Sequence, residues 1–266
     1  MAEDNRNDAQ DDDLNTGDLF KDPEGFYPEE PKPTYAEYRT LSGLNLRVRL
    51  VGSHPLYGYL LWNAGRTTSE HLERHAGKLV AGKDVLEIGA AAGLPSIISA
   101  INGARTVVMT DYPDPDLVEN MRQNADAAAP FIPQGSQLHV AGYKWGAETD
   151  KILSFLPQPS AGFDLLIMAD VIYSHREHPN LISTVQRTLK RSADAVALVF
   201  FTPYQPWLLP KTEKFFPLAE ENGFIVTKIF QKVLDKVLFE NDPGDETLRR
   251  TVFAYELRWA PDRLAH

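Results

Sequence analysis

The chain contains no cysteine in its 266 residues. That absence excludes disulfides, thiolate metal sites and cysteine nucleophiles together, and it agrees with a cytosolic address. Long apolar runs are missing too: none approaches the roughly 20 residues a membrane-spanning helix requires, so no membrane association is expected. Positive charge is scarce, with 27 Lys and Arg against 37 Asp and Glu. No basic stretch is available to meet phosphates, which argues against nucleic acid as a partner. The opening residues Met1-Ala2-Glu3-Asp4-Asn5 are acidic and polar, unlike a signal or transit peptide.

The acidity that is present is concentrated at one end. Residues 1–30 hold eleven acids against Arg6 and Lys21, so nine of the ten excess negative charges lie there and the remainder is close to neutral. Residues 1–19 read as a disordered, solubilising acidic tail, or as an arm that draws in a basic substrate segment. Residues 20–58 read as a strap followed by a strand. Phe20, Phe26, Tyr27, Tyr35 and Tyr38, interleaved with prolines, suit an extended segment that lays rings on a surface and partly covers a cleft. The alternation over 46–51 is that of a half-buried strand. Residues 59–266 then form one α/β domain, long enough for a single core.

Within that domain the periodicity predicts strands over 83–88, 104–110, 137–141, 163–169, 195–201, 224–230 and 248–259. Helices are expected over 60–75, 95–101, 115–127, 150–157, 178–189 and 211–222. The last two strands are joined by 231–247 without a helix, through turn residues Asn241 to Asp245, which makes them antiparallel. The fold class that follows is α/β: a seven-stranded sheet, mostly parallel with an antiparallel last strand, and helices on both faces.

The strand over 83–88 ends in Gly89-Ala90-Ala91-Ala92-Gly93. Residues with almost no side chain, placed between a strand and a helix, let a ligand approach the backbone, although close helix packing explains the same composition. Asp111 ends the next strand 22 residues after Gly89, where a carboxylate can accept hydrogen bonds from both ribose hydroxyls. Its other reading is a helix N-cap, a role open also to Asp114. A pyrophosphate wants G-x-G-x-x-G, whereas here Ala91 takes the place of the second glycine, which favours a ligand without phosphates. His54, His175 and His178 have no metal-ligand spacing, and no metal is expected.

Several stretches carry a resemblance: Pro23-Glu24-Gly25-Phe26, Pro31-Lys32-Pro33, Ala36-Glu37-Tyr38, Leu60-Leu61-Trp62-Asn63-Ala64-Gly65, residues 85–96, Thr110-Asp111-Tyr112-Pro113-Asp114-Pro115-Asp116-Leu117 and Trp145-Gly146. On these the chain resembles the class I S-adenosylmethionine-dependent methyltransferases with their Rossmann-like sheet. More narrowly it resembles the fungal protein N-terminal and lysine methyltransferases of translation elongation factor 1-alpha, a group once named nicotinamide N-methyltransferase-like. The resemblance implies S-adenosyl-L-methionine as cofactor, with Trp62, Gly89, Ala90, Ala91 and Asp111 at its methionine and ribose and with Trp145 and Ala169 bordering the adenine. The chemistry agrees, since Trp145 can stack on a purine and Trp62 can attract a sulfonium, while core packing is the other reading of both rings.

Asp170-Val171-Ile172-Tyr173 resembles the Asp-x-x-Tyr segment of related protein methyltransferases. That resemblance implies Asp170 as the residue that orients the incoming amine or accepts its proton, and Tyr173 as a wall of the acceptor channel. A cap of the following turn is the alternative for Asp170. The aromatic residues over 200–207 are either acceptor wall or loop core. The expected acceptor is translation elongation factor 1-alpha, at its N-terminal glycine α-amine and adjacent lysine, modified by a cytoplasmic monomer. A small-molecule N-methyltransferase of the nicotinamide type and a non-catalytic cofactor-binding module are the alternatives.

Overall fold

Thr34–Arg39 (β1) and Asn45–Leu50 (β2) pair antiparallel as a separate two-stranded sheet in the computed structural model, which describes residues 31–264. Leu46, Val48 and Leu50, every second residue of β2, are buried, as the alternation predicts. The last residues of the expected strap fall in this pairing. Tyr35 and Tyr38 belong to β1, where Tyr35 lies 3.8 Å beneath the Arg47 guanidinium and the Tyr38 hydroxyl donates to Glu73 at 2.7 Å. Main-chain pairing with β2 holds this segment extended as a strand, and neither ring lines the cavity described below. Phe20, Phe26, Tyr27 and the acidic tail 1–19 lie outside the described residues.

The main sheet comprises Asp84–Ile88 (β3), Thr106–Asp111 (β4), Gln137–Gly142 (β5), Leu165–Ala169 (β6), Val196–Phe201 (β7), Phe224–Val233 (β8) and Thr251–Trp259 (β9). Its order is β5-β4-β3-β6-β7-β9-β8. β3 to β7 run parallel, and β9 is antiparallel to both β7 and β8. The last strand is thus inserted between β7 and β8. The chain winds outward from β3 through β4 to β5 and then crosses back to β6 on the other side of β3. That reversal opens a crevice at the C-terminal ends of β3 and β6, where ligands of such sheets bind.

Helices Asn63–Arg74 (α1), Ala76–Leu79 (α2), Leu94–Ile101 (α3), Pro115–Ala128 (α4), Asp150–Leu153 (α5), His178–Thr188 (α6), Leu209–Thr212 (α7), Phe215–Glu221 (α8) and Glu246–Arg249 (α9) surround the sheet. Because side chains alternate along a strand, Val85 and Val107 pack on one face with Ala64, Leu72, Ile98 and Met121 of α1, α3 and α4. Leu86, Ile88 and Val108 pack on the other with Leu181, Val185 and Phe215 of α6 and α8. Each such side chain, fully buried, contributes about 1.5–3 kcal/mol, which makes the two apolar layers the main support of the site.

Three expected elements are shorter or broken. The helix over 211–222 divides into α7 and α8, because Pro217 has no N–H for the carbonyl four residues back and is tolerated only in the first turn of a new helix. The one over 150–157 shrinks to α5, with Pro157 blocking its continuation. The strand expected from 248 starts at Thr251, since Asp245 accepts from the Leu248 N–H at 3.0 Å and caps α9. No helix among the described residues is long and apolar enough to cross a membrane.

Candidate active site

β3 runs into a turn in which Gly89 and Ala91 have φ of +74° and +50°. The Gly89 and Ala90 amides donate to the Thr110 carbonyl at 3.0 and 2.9 Å, and the Ala91 amide donates to Asp111 Oδ2 at 2.6 Å. The ends of β3 and β4 are thereby tied together. A Cβ on Gly89 would sit 2.6 Å from Val171 Cγ1 and 3.2 Å from Trp145 Cζ2. Glycine is therefore demanded by backbone conformation and by protein neighbours, in addition to any ligand.

A cavity of about 570 Å³ opens at the C-terminal ends of the strands. That volume is in the range of small-molecule sites. Trp62, Gly89, Ala91, Asp111, Trp145, Ala169, Asp170 and Tyr173 all line it. Ala90 does not. Its amide donates to the Thr110 carbonyl and its side chain packs with Ala92 and Leu94 in the core.

Asp111 Oδ1 accepts from the Tyr112 amide at 2.6 Å, so each carboxylate oxygen holds one amide and keeps further acceptor capacity. Burial raises its pKa, opposed by those two amides and by His54. The N-cap of α4 is Asp114, which accepts from the Asp116 amide at 2.9 Å, and Asp111 is free of that role.

Asp170 follows β6 with φ of +55°. Its Oδ1 accepts from the Thr202 amide at 2.7 Å, and its Oδ2 accepts from the Ala64 amide at 3.1 Å and from the Tyr204 hydroxyl at 3.3 Å. The Tyr204 oxygen in turn accepts from the Asn63 amide at 3.1 Å. Asp170 thus caps no turn of its own. Together with Tyr204 it satisfies the first amides of α1 from across the site, where the N-cap residue Trp62 offers no side-chain bond. Burial pushes the Asp170 carboxyl up to about 7, against the pull of the three donors, and the Tyr204 hydroxyl is pushed up as well.

Trp62 is seated among rings: Tyr204, Phe239 and Tyr57 have centroids 5.0, 5.9 and 6.2 Å away. Its Nε1 donates to the Tyr57 carbonyl at 3.0 Å. Tyr57, at φ of +62°, also meets Tyr173 edge to face at 6.0 Å. Among the described residues the non-glycine residues at positive φ are Tyr57, Ala91 and Asp170, and all three line the cavity. Strain gathered at one site is held there by the surrounding structure and marks a functional centre.

The two readings of 200–207 divide by residue. Thr202, Pro203, Tyr204 and Gln205 line the cavity, Phe200 is core, and Trp207 is 55 % exposed. Sequence reasoning missed Tyr57 and Phe239. Tyr57-Gly58-Tyr59, immediately before the Leu-Leu-Trp run, was a usable signal, whereas nothing in 231–247 marked Phe239. His54, His175 and His178 bond to Asp114, Thr212 and the Ile172 carbonyl, and the rings of His175 and His178 meet edge to face at 5.6 Å.

A carboxylate with acceptor capacity to spare, aromatic walls, and Lys144 as the one Lys or Arg among the described lining residues fit a nucleoside with a sulfonium and no phosphates. Comparison with known proteins agrees. The lysine methyltransferase family model matches residues 45–216. The Emericella nidulans protein N-terminal and lysine N-methyltransferase efm7 is 71% identical over 252 residues, covering 93% of this chain and 97% of that protein. The Neurospora crassa protein of the same name is 43% identical, covering 94% and 90%. In fold the chain is similar to SMU.776, a methyltransferase solved with SAH, at a TM-score of 0.55 and 13% identity over 86% of this chain and 57% of that one. It is similar also to the T. thermophilus 16S rRNA N2 G1207 methyltransferase solved with AdoMet and guanosine, at a TM-score of 0.52 and 17% identity over 88% and 52%. The chain belongs to the lysine methyltransferase family.

Proposed function

We propose that this enzyme methylates the N-terminal glycine α-amine and the adjacent lysine of translation elongation factor 1-alpha in the cytoplasm. The observation that carries the reading is the 71% identity, over 97% of its length, to a protein named as a protein N-terminal and lysine N-methyltransferase. The acceptor follows from the sequence resemblance described above.

S-adenosylmethionine, when bound, supplies a methyl group activated on a sulfonium sulfur. In this reading Asp111 holds the ribose, Trp145 and Ala169 border the adenine, and Trp62, Gly89 and Ala91 meet the methionine end. The remaining work is to align the amine and exclude water, and the ring cluster of Tyr57, Trp62, Tyr204 and Phe239 suits both tasks. Tyr173 walls the channel from the β6 side. The acceptor must arrive unprotonated, and an α-amine with pKa near 8 needs less help than a lysine near 10.4, roughly. Asp170, lining the cavity with a carboxyl that titrates at about 7, orients the amine or accepts its proton.

The test is incubation of enzyme and S-adenosylmethionine with a peptide of the factor's first residues, its α-amine free or acetylated, read by mass spectrometry. The free peptide gains methyl groups on both amines, and the acetylated one gains them on lysine alone. Methylation of nicotinamide with neither peptide modified would overturn the acceptor.

A further inference from the structure

The proposed role of Asp170 raises a question of how a buried carboxyl is kept ionised and aimed. Three donors reach it: two are main-chain amides, Thr202 and Ala64, and the third is the Tyr204 hydroxyl at 3.3 Å. Only the third is a side chain. Tyr204 is buried, and its hydroxyl is kept protonated by that burial and by the neighbouring carboxylate, so it is a permanent donor. The same oxygen accepts from the Asn63 amide at 3.1 Å, and the ring packs on Trp62 with a centroid separation of 5.0 Å. One side chain from the loop after β7 therefore touches both the carboxyl after β6 and the first turn of α1, which carries Trp62 at its N-cap.

We propose that Tyr204 is a positioning residue for methyl transfer: its hydroxyl holds the Asp170 carboxylate ionised and oriented toward the acceptor amine while fixing the start of α1 beneath Trp62. The proposal rests on the reading that Asp170 acts on the amine.

The titratable groups around Asp170 come from several segments. Tyr204 comes from the loop after β7, and Tyr173 lies three residues on from Asp170 with its own hydroxyl raised by burial and by the charges of Asp111 and Asp170. α1 presents only peptide N–H groups to the carboxyl. Tyr57 before α1, Asp111 at the end of β4, Lys144 after β5, His175 and Glu177 after β6 and Asp242 after β8 line the same cavity. Of these groups, Tyr204 alone hydrogen-bonds to the carboxyl.

Tyr204→Phe removes the donor and keeps the ring. Without it the ionised form of Asp170 loses a charge-assisted hydrogen bond, so its titration midpoint moves upward, by about one pH unit. The experiment follows the carboxyl carbon of Asp170 by NMR in protein labelled at aspartate, with the resonance assigned by its absence in Asp170→Asn. The midpoint is compared between wild type and Tyr204→Phe without cofactor. The second readout is the ratio of kcat/KM, variant over wild type, on the same acceptor peptide from pH 6 to pH 9. The expected results are a raised midpoint and a ratio about tenfold lower at pH 6 than at pH 9. Calorimetric binding of S-adenosylmethionine to Tyr204→Phe establishes that the variant is folded.

An unmoved midpoint overturns the inference, because Tyr204 then does not control the carboxyl. A raised midpoint with a ratio independent of pH, or an Asp170→Asn variant as active as wild type, overturns instead the part given to Asp170 in transfer. A role in folding alone lowers activity by the same factor at every pH.

Discussion

The two sides of the cavity are built by different means. On the β3–β4 side, main-chain amides and one carboxylate tie the turn at Gly89 to Asp111 within about 20 residues of sequence, a spacing set by one strand–helix–strand unit. On the β6–β7 side the wall is assembled from Tyr57 and Trp62, Asp170 and Tyr173, Tyr204, and Phe239, which come from four separate segments. The first side is a fixed backbone cradle that suits one invariant ligand. Each side holds a buried carboxyl and a non-glycine residue at positive φ, but the second takes its shape from side chains of distant segments, which suits chemistry that must be tuned.

That contrast can be broken by substitutions on either side. Asp111→Ala, which removes the one carboxylate of the cradle, should weaken S-adenosylmethionine binding in calorimetry by about 3 kcal/mol, somewhat over a hundredfold. Unchanged affinity would remove the ribose assignment. On the other side, Asp170→Asn should lower kcat by about a hundredfold with little change in cofactor affinity. An equal loss in both quantities would make Asp170 a structural cap of α1 and nothing more.

Gly89→Ala places a methyl group against Val171 and Trp145 at a left-handed φ, and should cost about 2 kcal/mol of stability in urea unfolding without cofactor. A variant as stable as wild type would show that only a ligand requires this glycine. A pH-dependent effect concerns Glu87, buried in mid-β3 and bonded by the Ser96 amide and hydroxyl at 2.9 and 2.5 Å. Burial pushes its carboxyl from 4.5 up to about 8. The folded state therefore keeps a proton that the unfolded chain releases. The stability this gives is complete below about pH 4.5 and is lost as pH rises toward 8, at about 1.4 kcal/mol per pH unit. Glu87→Gln, which retains an acceptor for Ser96, should show a shallower decline than wild type when unfolding is measured at pH 5, 6.5 and 8; parallel curves would contradict it.

Legibility in the sequence followed the same division. β3, β4, β6 and β7 and the residues at their ends were readable, because a parallel strand buried on both faces is a continuous apolar run and its terminus is fixed by the next small or acidic residue. Asp111 and Gly89 stand at the ends of two such strands and line the cavity. Ala90 packs in the core while its neighbour Ala91 lines the cavity, a difference that composition cannot separate. Tyr35 and Tyr38 were read as strap residues because a two-stranded pairing depends on its partner β2 as much as on its own residues. The capping of α1 by Asp170 and Tyr204 bridges 106 and 141 positions, and no local pattern encodes such a contact.

The identity of the acceptor is tested most directly by adding enzyme and isotope-labelled S-adenosylmethionine to a fungal lysate and locating the label by mass spectrometry. The predicted result is label on the N-terminal peptide of translation elongation factor 1-alpha, on the α-amine and the adjacent lysine. Label confined to small molecules would contradict it.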